Sequence, residues 1–186
     1  MPAGILISNE HGTVLIDDTN FNIALAAKGI ATPLGGGPPY LAHVSNSTAQ
    51  LPVWAYRQSE VLSSMHARTY SAGVSTLLVG GSTPGAGDYH YYLFDKPAAP
   101  GGSTYGIQVF NASNELTFDS RLKHPVIAEV IVPTATGTFD TMMPAGREYA
   151  IATQGVLNRI VGDMVTIFAQ PADIGRRILI IDVTGY

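Results

Sequence analysis

Gly73-Val74-Ser75-Thr76-Leu77 opens like the elbow that exposes a catalytic serine, but Leu77 stands where the second glycine belongs and no strand-to-helix pattern follows. The histidines His11, His43, His66, His90 and His124 show neither the H-x-H nor the H-E-x-x-H spacing that sets two imidazoles on one metal. Asp88 and His90 share a strand face, an arrangement that serves a surface hydrogen bond more often than a metal. Glycoside hydrolysis needs two carboxylates facing across a cleft. Asp17 and Asp18 are adjacent and point to opposite faces, while Glu60, Glu129 and Asp140 meet only if the fold brings them together. The Gly80–Gly87 segment lacks the Gly-Lys-Ser/Thr ending of a phosphate loop. These residues predict no enzyme, no cofactor and no metal site.

Tyr89, Tyr91 and Tyr92, ahead of Phe94, form the candidate interface or ligand surface. On a strand Tyr89 and Tyr91 share one face, and Tyr92 and Phe94 take the other. Exposed tyrosines suit protein interfaces and sugar stacking, because an apolar ring carries a polar tip. The competing reading is that one face is core, since aromatics are favoured in strands anyway. Trp54 and Tyr56 alternate similarly and read as core.

The elements that carry these residues emerge when the chain is compared with itself. Gly4–Asp18 aligns without gaps to Gly106–Ser120, with the Gly, first Ile, Asn and first Asp identical. Apolar residues recur at 5/107, 7/109, 14/116 and 16/118, giving period two in each arm. That spacing predicts two β-hairpins with these positions turned inward and residue 7 opposite 14. Ser8 and Thr13 then close a four-residue turn, with Gly12 and Asn114 supplying the left-handed backbone at its end and the first-position Asn an Asx bond. Asp17 and Asp119 are equivalent, which favours a structural hydrogen-bonding role for both.

A third strand follows each hairpin, around Phe21–Leu25 and Val126–Val132, so two three-stranded meanders are expected. A helix over Ile23–Lys28 competes for the first, since Ala-Leu-Ala-Ala-Lys favours helix. Further strands are expected at Leu51–Arg57, Val74–Val79, Tyr89–Phe94, Tyr149–Thr153, Val156–Val161, Val165–Gln170 and Ile178–Val183. Ser59–Arg68 fits strand or helix. Many short strands between Gly/Pro-rich turns predict an all-β, β-sandwich-type architecture in one or two subdomains. The boundaries fall at 1–96 for an N-terminal β subdomain, 97–104 for a Pro/Gly-rich linker and 105–186 for a C-terminal β subdomain.

Composition narrows the partners. Charged residues make up 13% of the chain, about half the usual ~25%. Either protein partners cover part of the surface, or a Ser/Thr/Asn/Gly skin does. The net charge is −4, and the ten Lys and Arg are scattered singly except for Arg176-Arg177, which argues against nucleic acid. Cysteine is absent, which excludes disulfides and thiolate metal sites. No apolar run approaches the ~20 residues of a membrane span, and the amino-terminal segment has no basic n-region. Synthesis in the cytoplasm is expected, without membrane insertion.

Tyr105-Gly106-Ile107-Gln108-Val109-Phe110-Asn111, its short turn and the strand ending Phe118-Asp119-Ser120 resemble a segment of small tail proteins of long-tailed bacteriophages and prophages. Gly4–Asp18 resembles the related amino-terminal hairpin of such proteins. The match covers about 30 of the 186 residues, and Asn114 stands where Gly is more usual. The resemblance implies a multi-copy virion protein of the tail tip or baseplate. It would be an adaptor between tail hub and fibre or receptor-binding subunits, with other tail proteins as partners. The alternative is a receptor-binding module for a host surface glycan or pilus.

Overall fold

The computed structural model describes residues 6–8, 10, 14–32, 40–58, 63–71, 74–81, 89–98, 105–153, 157–161 and 163–186. Of these, 14, 15, 40, 63–71, 81, 157 and 159 are described by backbone alone. The described chain is all β apart from one 3-10 turn at Pro171–Asp173. Its strands are β1 (Leu6–Ser8), β2 (Val14–Asp17), β3 (Ala24–Ala31), β4 (Tyr40–Asn46), β5 (Val53–Arg57), β6 (Ser63–Ser71), β7 (Val74–Gly81) and β8 (Tyr89–Asp95). The second half supplies β9 (Gln108–Phe110), β10 (Leu116–Asp119), β11 (Val126–Ile131), β12 (Gly137–Met142), β13 (Tyr149–Ala152), β14 (Leu157–Val161), β15 (Met164–Ala169) and β16 (Ile178–Asp182).

Two six-stranded antiparallel sheets form a sandwich, in the orders β11-β16-β13-β5-β8-β3 and β12-β15-β14-β6-β7-β4. Each sheet takes three strands from each half of the chain. Two cores fill the space between them. One joins Trp54, Tyr56, Tyr89 and Leu93 of the first sheet to Ala42, Leu77 and Val79 of the second. The other joins Tyr149, Ile151, Ile178 and Ile180 to Ile160, Val165 and Ile167.

The internal repeat extends beyond the hairpins. Gly106 follows Gly4 by 102 positions, and Val126 at the head of β11 follows Ala24 at the head of β3 by the same 102. Ala24 lies opposite Asp95, and Val126 opposite Asp182. One pair further on, Leu25 faces Phe94 and Ile127 faces Ile181; both ladders then bulge, at Ala26 and Ala128. A bulge is a designed feature of a ladder rather than a defect, and its recurrence at the same step marks a duplicated unit. The halves meet where the equivalent strands β5 and β13 pair antiparallel, with Ile151 opposite Tyr56. Antiparallel pairing of equivalent strands is the signature of a two-fold relation. Across this seam the Asn158 amide donates to the Tyr56 hydroxyl at 2.5 Å.

The helix competing for Ile23–Lys28 is not formed. Ala24–Ala31 pairs along β8 with Ala24, Ala27 and Ala31 turned to the interior, so tertiary pairing overrides alanine's helix preference. A Cβ at Gly29 would meet the hydroxyl end of Tyr91 at 2.7–3.0 Å, so any larger residue there would make that side chain shift. The meanders are not formed either. Each hairpin stays two-stranded while β3 and β11 leave for the large sheet. The Asp17 carboxylate accepts from Thr19 and Asn20 N–H groups, and Asp119 from Arg121 N–H, so both chains turn away at the equivalent aspartate.

Hairpin register also departs from expectation. Ile7 lies opposite Ile16, and Val109 opposite Phe118. In the second hairpin Asn111 N–H donates to Glu115 O and Asn114 N–H to Asn111 O, leaving a three-residue loop with Asn114 at φ 59°. That is a type I turn followed by a left-handed residue. The closing pair is one residue further in than spacing suggests, which changes the buried set. Val109, Thr117 and Asp119 are buried, Leu116 and Phe118 half-buried, and Ile107 is exposed. The Thr117 hydroxyl faces Val109 O at 3.1 Å and Asp17 O at 3.3 Å, joining the hairpins.

Candidate functional site

The three candidate tyrosines sit on β8, flanked by β3 and β5. Tyr89 is fully buried in the inter-sheet core, and its hydroxyl has no hydrogen-bond partner among the described residues. Burial pushes that hydroxyl up to about 12. Tyr91 packs its ring 5.9 Å from Trp54 and over Gly29. Tyr92 points to the opposite face but is only 6% exposed, with its ring edge-on to Tyr186 at 6.4 Å. Burial raises its hydroxyl, with Glu148 adding to the rise and Arg57 opposing it. An exposed row of tyrosines is therefore absent. Tyr89 is core, and Tyr91 and Tyr92 present only their rims.

The rim of Tyr92 borders a depression of about 310 Å³ on the outer face of the first sheet. Its lining adds Lys28, Ile30, His90, Glu148 and Tyr186. β3 brings Lys28 opposite Tyr92 and Ile30 opposite His90. β5 places Arg57 opposite His90, and its guanidinium reaches Glu148 at 2.9 Å. Tyr186 arrives from the carboxy-terminal segment and is anchored through its hydroxyl to His124 O. The His124 ring, stacked 4.8 Å from Phe118, contacts Ile23 O and Asp119 O.

A second depression, of about 450 Å³, is lined by Val53, Trp54, Ala152, Thr153, Leu179 and the pair Arg176-Arg177. Two of its lining residues are the repeat counterparts of residues that line the first. Asp95 and Asp182 are equivalent; five residues before each stand His90 and Arg177, and three before each stand Tyr92 and Leu179. Sequence reasoning singled out Arg176-Arg177 only as the one adjacent basic pair. Lys28, Glu148 and Tyr186 were missed, because they reach the first depression from β3, the segment before β13 and the carboxy-terminal segment through long-range packing.

The other chemistry-bearing residues are dispersed. Ser75 is buried and accepts the Trp54 indole N–H at 2.7 Å. Glu129 accepts the Thr141 hydroxyl across the two edge strands at 3.0 Å. Glu60, Asp88 and most of Gly80–Gly87 lie outside the described residues. Asp119 is buried; hydrogen bonds from the Arg121 guanidinium, with further bonds from Arg121 N–H and Gln108, hold its carboxyl well below the usual carboxylate range. No grouping of His, Asp or Glu suited to a metal occurs among the described residues, and no described helix is long and apolar enough to cross a membrane. No protein-family model, curated protein or solved structure matches this chain.

Proposed function

We propose that this chain is a structural protein of a phage tail tip or baseplate, acting as an adaptor between the tail hub and fibre or receptor-binding subunits. The observation that carries the reading is β11, at the open edge of the first sheet. Its Ile127 and Val130, with Val132 just beyond, are 44–47% exposed, and Val126 is 55% exposed. Isolated exposed apolar residues are ordinary, but a row of them on an unpaired edge is a surface other chains add to. The exposed Tyr105, Ile107 and Phe110 of the second hairpin add another apolar surface, within the segment that resembles tail proteins. A low share of charge accords with a surface partly covered by partners.

The test is the composition and electron microscopy of purified particles. The chain is expected in intact virions at the tail tip, with β11 against a neighbour. Val130→Glu should leave the isolated protein folded yet exclude it from particles. Absence of the wild-type chain from purified virions would sink the reading. The second reading, recognition of a host surface glycan, is favoured by the Tyr92–Tyr186 depression, where aromatic rims and polar side chains meet.

A further inference from the structure

We propose that the two depressions on the outer face of the first sheet form a paired binding site for an acidic saccharide, a polymer whose sugars carry carboxylates. The inference deepens the glycan-recognition reading, on which it rests, and is independent of the adaptor reading.

Cation bookkeeping on an acidic protein supports it first. The net charge is −4, and four cations are paired with carboxylates: Arg57 with Glu148, Lys96 with Glu115, Arg121 with Asp119 and Arg147 with Asp182. Lys123 lies over the Tyr186 ring and bonds Gly185 O. Among the described residues, that leaves Lys28, Arg176 and Arg177 as the lysines and arginines with described side chains, besides Lys123, without a carboxylate partner. All three line these two depressions. Arg176 uses only Nε, on Ala172 O at 2.7 Å, so its terminal nitrogens remain free to grip a carboxylate side-on. The acid on the first rim, Glu148, is neutralised by Arg57.

The floors supply the second argument. Tyr186 with the rim of Tyr92 in one depression, and Leu179 and Val53 in the other, give apolar surface for a sugar ring. The second depression lies over the inner strands β16, β13 and β5, where the backbone is already paired and recognition falls to side chains; the first lies over β8 and the edge strand β3.

Spacing supplies the third. Leu179 neighbours Ala152, and Ala55 neighbours Tyr92. Continuing the register that sets Ile151 opposite Tyr56 places Ala152 beside Ala55. Leu179 and Tyr92 therefore stand three strand spacings apart on one row, roughly 15 Å. One oligosaccharide chain can occupy both floors at once, and two linked contacts bind more tightly than either alone.

The experiment measures binding of galacturonate trimers and decamers to the full chain by calorimetry, with neutral dextran oligomers of matched length as control. Expected are binding of galacturonate but not dextran, weakening with salt, and decamer affinity tighter than trimer affinity by about tenfold or more. Arg176→Gln with Arg177→Gln should abolish the length advantage, and Lys28→Gln with His90→Gln should do the same from the other side. All four side chains are exposed, so circular dichroism and the unfolding midpoint should stay at wild-type values. Dextran binding as tight as galacturonate binding would overturn the acidic-saccharide inference while leaving glycan recognition standing. Binding of neither would overturn both, and particle localisation would still decide the adaptor reading separately. Galacturonate binding unchanged in both double variants would also overturn the inference.

Discussion

Asp119 and Asp17 show how one residue type, duplicated, ends two hairpins. Each accepts the backbone N–H two positions on, from Arg121 and from Thr19. Asp119 is the more constrained, being buried and held by the Arg121 guanidinium. Its folded-state value lies below its unfolded one, so the ionised form stabilises the native state. That contribution is complete above the unfolded value of about 3.9 and is lost only as pH falls through the depressed folded value. Asp119→Asn should therefore lower the unfolding midpoint by a constant amount between pH 7 and pH 4, and the gap to wild type should narrow below that. A gap that widens on acidification would contradict the assignment. The equivalence of these aspartates was legible in the sequence because it depends on local spacing. The burial of Tyr89 and Tyr92 was not, because alternation separates two faces without saying whether one or both are covered. Here β7 contributes to the core on one side and Tyr186 packs on the other, and both contacts are long-range.

The hairpins show the same division at the level of one element. Their existence, and in the second hairpin Asn114 in the left-handed region, follow from local chemistry, while the Gly12 turn of the first lies outside the described residues. Their register does not follow from it. The Asn111 carboxamide accepts N–H bonds from both Ser113 and Glu115 at 2.9 Å, drawing the closing pair one residue inward. The bulge at Thr117 then partly restores the apolar side. Asn114→Gly should preserve stability, since glycine adopts this backbone freely. Asn114→Val should lose about 1–2 kcal/mol, the cost of a left-handed conformation for a branched side chain. Urea unfolding of the two variants checks this, and equal midpoints would refute it. Strands β4 and β12 escaped the sequence reading for a related reason. Gly137–Met142 carries one large half-buried apolar residue, Phe139, so its pattern is too sparse to announce a strand that pairing with β15 nonetheless fixes.

The molecule as a whole is a fused pair. Each half contributes a hairpin and three strands to each sheet, and each has its own inter-sheet core. The seam between them is narrow: Tyr56 opposite Ile151 in one sheet, Ser63 opposite Asn158 in the other, and Ala55, Ala150 and Ala152 packed together on the outer face. Small residues there let equivalent strands approach, and the antiparallel geometry allows either half to accept a copy of itself in place of its mate. Segment 105–186 expressed alone should therefore sediment as a dimer, with β13 against β13. Co-expression with 1–98 should yield a 1:1 complex instead, because the Tyr56–Asn158 bond and the Asn22 N–H to Thr117 O bond at 2.8 Å exist only between unlike halves. Ala152→Arg should weaken the dimer of 105–186, since it sets a long side chain against the neighbouring strand at the seam, beside Arg176 and Arg177. Sedimentation velocity distinguishes the species. A folded, monomeric 105–186 would mean that the two-fold seam is not what completes each half.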